Sequence, residues 1–175
     1  MSTLEKCTHV SLIALSGLCI YILVSQHVTG KRSAAYLPRP QAKLTGKQIK
    51  LPELDAWPGS KVVLFMSTKC HYCEESVPFY RNLSRVLTAA KNKVPFVIVS
   101  PEETAITLRF LKDRGITAAE VVDTKPSSVG VVSTPTILLV DSGRTVLSSY
   151  FGKLSQNREK DLLRSVGALC PECSL

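Results

Sequence analysis

Residues 61–169 predict an α/β sandwich, a central mixed β-sheet flanked by helices on both faces. Three observations predict it. Short apolar runs of strand length alternate with helical periods in the order βαβα, a β-hairpin follows, and an amphipathic helix closes the segment.

Val62 to Met66 is a short, continuously apolar run, as a strand covered on both faces requires. From His71 to about Ala90 the spacing of Val77, Tyr80, Leu83, Val86 and Leu87 is helical, and Pro78 removes a backbone donor and kinks that helix. Pro95 to Val99 reads as a second strand, and Pro101 to Arg114 as a second helix stopped by Gly115. Glu120 to Asp123 has the length of a short strand. Thr136–Val140 and Thr145–Tyr150 flank the turn Asp141-Ser142-Gly143-Arg144 and read as the hairpin. Gln156 to Leu169 places Leu162, Leu163, Val166 and Leu169 on one side of a final helix.

The N-terminal part is organised differently. Between Cys7 and Gly30 no residue carries a formal charge, apart from protonation of His9 and His27, and Val10 to Val24 forms its apolar centre. About 20 helical residues cross a bilayer core of about 30 Å. Residues 1–30 are therefore expected to be an uncleaved membrane anchor. A cleaved signal would need its small-residue site near Ser33-Ala34-Ala35, just past Lys31-Arg32. Residues 31–50 read as a linker in which Leu37-Pro38-Arg39-Pro40 favours extended backbone. The domain is expected to span residues 51–169, with Trp57 as a packing anchor, and residues 170–175 to form a tail.

The 175 residues suffice for one domain with an appendage, and 45% hydrophobic with 21% charged residues is globular usage. The formal charge of +8 fits a basic soluble surface. A sharper use is docking to anionic lipid or an acidic partner through Lys31, Arg32, Arg39, Lys43, Lys47 and Lys50. The basic residues are scattered and no nucleic-acid motif accompanies them, so nucleic acid is not an expected partner.

The chemistry is concentrated in Cys70-His71-Tyr72-Cys73. This C-x-x-C follows an apolar strand and opens a helix. Unpaired N–H groups and the helix dipole there favour the thiolate over the thiol. Cys70 is expected to be the nucleophile and Cys73, one turn further in, the thiol that resolves a mixed disulfide. Lys69 and a partly protonated His71 are expected to favour the Cys70 thiolate further, while Tyr72 is expected to pack or face substrate. No acidic residue in the preceding strand is available as a buried proton acceptor.

The strand–C-x-x-C–helix unit, Pro78 five residues after Cys73, and Ser133-Thr134-Pro135-Thr136 before the hairpin together resemble the thioredoxin fold. The Thr-Pro-Thr segment followed by Ile-Leu-Leu-Val-Asp and a glycine turn is similar to the membrane-anchored thioredoxin-like thiol–disulfide oxidoreductases of bacterial envelopes. The resemblance covers about residues 51–169. It implies that Pro135 is cis and faces the active site, and that the Thr134 backbone pairs with an extended substrate segment. It further implies protein thiols or disulfides as substrates, an electron-exchange partner, no prosthetic group and an extracytoplasmic domain. The flanking charges point the other way: Lys31, Arg32, Arg39 and Lys43 follow the apolar segment, and the positive-inside tendency would place the domain in the cytoplasm. The chain departs from the common pattern of that family, which has Trp before the first cysteine and Pro inside the motif; Lys69 and His71-Tyr72 stand there instead.

Two other uses of the same pair are a thiol peroxidase and a copper metallochaperone. Peroxiredoxins share the fold but place Pro and Thr seven and three residues before the reactive cysteine, where this chain has Val63 and Ser67. Only Met1 and Met66 would enrich a soft-metal site. Zinc shared with Cys170-Pro171-Glu172-Cys173 would join pairs almost a whole domain apart, and no metal site is expected. Cys170 and Cys173 leave two readings open: a second redox pair that exchanges electrons with the first, or a local disulfide or independent thiol pair with no relay role. Cys7 and Cys19 belong to the apolar segment.

Overall fold

In this computed structural model residues 44–89 and 94–169 are described. Five strands form one mixed sheet: β1 (Lys61–Phe65), β2 (Phe96–Ser100), β3 (Glu120–Asp123), β4 (Thr136–Val140) and β5 (Val146–Phe151). The sheet order is β3-β2-β1-β4-β5, with β1, β2 and β3 parallel and β4 and β5 antiparallel to their neighbours. Among the described residues the α-helices are α1 (His71–Glu75), α2 (Val77–Ala89), α3 (Thr104–Asp113) and α4 (Gln156–Leu169). Every residue of β1, β2 and β4 is buried, as central strands covered on both faces must be.

The two faces are covered differently. Val62, Leu64, Ile98 and Ile137 point to a core with Tyr80, Leu83, Phe110, Leu111, Leu162 and Val166 from α2, α3 and α4. Val63, Phe65, Val97, Val99 and Leu138 point the other way, to Leu44, Ile49, Leu51, Leu54 and Val131. The expected helices on both faces are thus corrected: among the described residues α-helical side chains supply the first core alone. The second face is covered by the N-terminal segment with its 3₁₀ turn Pro52–Ala56. Residues 44–50, expected to end a linker, pack on the domain for the same reason. Without Leu44 and Ile49 part of the second face would stay wet. Lys47 O accepts from Val146 N at 2.9 Å, and Gln48 bridges Thr145. Trp57 is the expected anchor, half-buried against this core, and its Nε1 donates to Glu120 Oε2 at 2.7 Å.

Smaller differences have local causes. The helix expected from His71 breaks at Ser76 into α1 and α2, because Pro78 has no N–H to give the preceding turn. Pro101–Glu103 lies outside α3, whose first residue is Thr104. Gly115 stops α3 as expected: its φ is +65°, and Ile116 N returns to Leu111 O at 3.0 Å. The expected membrane anchor, residues 1–30, and Cys170 and Cys173 lie outside the described residues. Among the described residues no helix is long and apolar enough to cross a membrane.

Candidate active site

The two cysteines of the motif sit where β1 gives way to α1. After Phe65 and Met66, both buried, the chain turns through Ser67, Thr68 and Lys69, and Cys70 N donates back to Ser67 O at 3.1 Å. Cys70 is the N-cap of α1. Its backbone is extended, and its Sγ accepts from Cys73 N at 3.3 Å. A sulfur that receives a helix N-terminal N–H sits at the positive end of the peptide dipoles.

The two thiols occupy unlike surroundings. Cys70 is half-buried and Cys73 has no exposure, and both are free. Burial, reinforced by the neighbouring Cys70 sulfur, pushes the Cys73 thiol up to about 12, while Ser67 and Thr134 act in the opposite direction. Thr134 also faces the outer sulfur: Cys70 Sγ donates to Thr134 O at 3.5 Å, and the Thr134–Pro135 peptide is cis. The fold therefore brings together Cys70, Cys73, Thr134 and Pro135 from two stretches of chain 64 residues apart. The antiparallel pairing of Phe65 with Thr136 does this, by setting the end of β1 beside the start of β4.

The expected tuning residues are placed less closely. Lys69 is exposed, with its backbone N on Ser67 Oγ at 3.2 Å. His71 is 77% exposed, and its Nε2 lies 3.3 Å from Glu75 Oε1, a carboxylate that also holds Lys153 Nζ at 3.2 Å. Positive charge on His71 is thus answered on its own helix, one turn from the sulfur. Tyr72 is 49% exposed, as a substrate-facing side chain would be.

Glu102 was not singled out by the sequence. Ser67 Oγ donates to its Oε1 at 2.6 Å, and Thr68 N and Ser100 Oγ donate to Oε2 at 3.2 and 2.6 Å. Burial is the largest single influence on this carboxyl and raises its pKa. The bonds from Ser100, Ser67 and Thr68 together outweigh it and hold the group below its usual range. The strand before the motif indeed carries no acid. One comes instead from the end of β2, because Phe65 pairs with Val99 in parallel register and the two strands finish side by side. The sequence signal was Ser100 and Glu102, two residues apart at a strand end. Among the described residues no group of three or more histidine, cysteine, aspartate or glutamate side chains is placed to hold a metal ion.

No protein-family model matches the chain, and no curated protein matches it either. Solved structures do. A thiol:disulfide interchange protein from Bacteroides sp. superposes with a TM-score of 0.52 at 17% identity, over 73% of this chain and 86% of that one. The dsbF of MTB, in mixed oxidised and reduced forms, gives 0.51 at 22% identity over 67% and 84%. A secreted thiol-disulfide isomerase from Corynebacterium glutamicum gives 0.50 at 16% identity over 65% and 70%. Likeness at such low identity speaks for architecture, and with the sheet order and the helix-opening cysteine pair it establishes that this chain has a thioredoxin-like fold.

Proposed function

We propose that this chain is a thiol–disulfide oxidoreductase acting on protein substrates, with Cys70 forming the mixed disulfide and Cys73 resolving it. The asymmetry of the two sulfurs carries this reading: one half-exposed at a helix N-cap beside Thr134 O, the other fully buried with its thiol pushed up to about 12. As a thiolate, Cys70 attacks one sulfur of a substrate disulfide, and the other substrate sulfur leaves. Cys73 then loses its proton and attacks Cys70 Sγ, breaking the bond to substrate. The substrate is reduced by two electrons and the pair becomes a disulfide, which an electron-exchange partner reduces. The reverse sequence oxidises a dithiol substrate. Thr134 is the proposed backbone partner of an extended substrate segment beside Pro135, and Tyr72 and Val132 are exposed apolar side chains available to such a segment.

The test is reduction of insulin disulfides by the full chain with dithiothreitol as electron donor. Expected is a rate at least about tenfold above dithiothreitol alone, together with one Cys70–Cys73 disulfide in the oxidised protein. Stoichiometric Cu(I) binding without exchange would replace this reading by the metallochaperone, and peroxide consumption without exchange by the peroxidase.

We further propose that residues 1–30 anchor the domain on the extracytoplasmic side, in the periplasm or at the outer face. The apolar run 10–24 supports the anchor, and the secreted neighbour supports the side. A membrane-impermeant maleimide applied to intact cells is expected to label Cys70. Labelling only after lysis would put the domain in the cytoplasm, where the flanking charges point.

A further inference from the structure

Tyr80 is the largest fully buried side chain of the described domain. Its ring belongs to the same core cluster as Cys73, against which the half-buried Cys70 also packs. Its hydroxyl is buried and finds no hydrogen-bond partner. Native interiors rarely leave such a donor idle, and packing alone would be served by phenylalanine.

The position of the hydroxyl follows from the helix. Seven residues, about two turns, separate Cys73 and Tyr80, so both face the same core across the Ser76 break. Long side chains on a helix lean back toward its N-terminus, which carries the phenol from its own turn toward Ser76 and the cysteines. Both sulfurs and Ser76 accordingly influence its ionisation. Ser76 Oγ, which donates to Tyr72 O at 2.7 Å, makes no bond of good geometry with the phenol.

We propose that the Tyr80 hydroxyl is the hydrogen-bond donor that receives the Cys73 thiolate when the mixed disulfide is resolved. The inference rests on the exchange reading above and deepens it. In the dithiol the phenol makes no bond of good geometry to the Cys73 sulfur, and a neutral thiol would in any case be a weak acceptor. During resolution Cys73 gives up its proton to solvent base, a full charge appears inside the apolar core, and a charge-assisted bond from the phenol, direct or through one water, becomes available. The Cys73 sulfur then bonds to Cys70 Sγ, the bond from Cys70 to substrate breaks, and the substrate leaves as a thiolate that takes up a proton from solvent. Tyr80 keeps its own proton throughout: burial, the largest influence on it, pushes its pKa far above the ordinary phenol value, so it donates and does not act as a base. This gives the buried thiol a polar neighbour on the helix side, where β1 offers none.

The test follows the mixed disulfide by acid quench and intact mass, in the full chain and in Tyr80→Phe. Expected is formation at Cys70 within about twofold of the parent, with resolution about tenfold slower at pH 7 and its pH profile displaced upward by about one unit. Thermal stability should be unchanged or higher, because the variant removes an unpaired buried hydroxyl, and a merely structural role would leave the pH profile in place. Equal resolution rates and profiles in parent and variant overturn the proposal. If Tyr80→Phe does not fold, a fluorinated tyrosine at position 80, a stronger donor of nearly the same shape, is expected to speed resolution, and an unchanged rate there overturns the proposal too. A parent that forms no mixed disulfide would sink the exchange reading itself, whereas a parent that exchanges beside indistinguishable variants sinks only the role of Tyr80.

Discussion

Cys70→Ser is expected to abolish disulfide exchange, and Cys73→Ser to arrest it one step later with substrate covalently held at Cys70. The difference follows from where the two sulfurs lie. Cys70 presents a half-exposed sulfur at the start of α1, receiving the Cys73 N–H, so it meets substrate first. Serine there keeps the cap but lacks the polarisable nucleophile, and a loss of more than about a thousandfold is expected, since an unactivated hydroxyl does not attack a disulfide. Cys73 is fully buried, and burial pushes its thiol up to about 12. At pH 7 that thiol is therefore overwhelmingly protonated. Attack on the adjacent sulfur of a mixed disulfide succeeds through proximity and not through ionisation. In the serine variant nothing replaces it, and the adduct accumulates to about one per chain until an external thiol releases it. Non-reducing gels and intact mass distinguish the two outcomes. An adduct on Cys73 in the Cys70→Ser protein, or parental turnover in Cys73→Ser, would reverse the assignment of roles. The same asymmetry predicts that iodoacetamide at pH 8 modifies Cys70 and spares Cys73 in the folded dithiol protein.

The placement of the two cysteines was legible in the sequence because it depends on local order. An apolar run, a C-x-x-C and a helical period in succession leave the first cysteine at a helix start whatever the rest of the chain does. Thr134 and Pro135 were legible through resemblance, and the antiparallel β1–β4 register brings them to Cys70. The features that escaped depend on distant pairings. Whether Glu102 touches Ser67 is decided by the parallel register of β1 against β2, and nothing in either segment alone states that register. Tyr80 looked like one more apolar position in a helical stripe, because periodicity counts the ring and ignores the hydroxyl. His71 was read for its nearness to Cys70 along the chain, yet the i,i+4 geometry of the helix hands it to Glu75. Lys61 opens β1 fully buried, and its Nζ donates to Leu54 O at 3.1 Å beneath the 3₁₀ turn. For Glu102 and Lys61 the partner was set by tertiary structure, and for His71 by the geometry of its own helix.

Glu102→Ala is expected to destabilise the domain by about 2–3 kcal/mol and to slow exchange at Cys70 as well. Three donors lose their acceptor at once, Ser67 Oγ, Thr68 N and the fully buried Ser100 Oγ, at roughly 1 kcal/mol each. The turn they hold runs directly into the N-cap, where Ser67 O accepts from Cys70 N and Ser67 Oγ from Lys69 N. A loosened turn therefore blurs the position of the Cys70 sulfur against Thr134 O, and misplacement of a nucleophile lowers its rate even when its chemistry is unchanged. The pH dependence separates this clamp from a generic packing loss. The folded state holds the Glu102 carboxyl below the ordinary value of 4.5, so its contribution is complete above that value and is lost as pH falls through the lowered one. Urea unfolding is expected to show the parent losing stability on that acid limb. Glu102→Gln, which keeps the shape and one acceptor, should lose part of the stability at pH 7 and show a shallower acid limb. Matching acid limbs in parent and glutamine variant would mean that Glu102 does not hold the turn as an anion. A stability loss in Glu102→Ala with an unchanged rate at Cys70 would mean that the Ser67–Lys69 turn supports the fold without setting the nucleophile, and that the N-cap bond from Cys73 N to Cys70 Sγ positions the sulfur by itself.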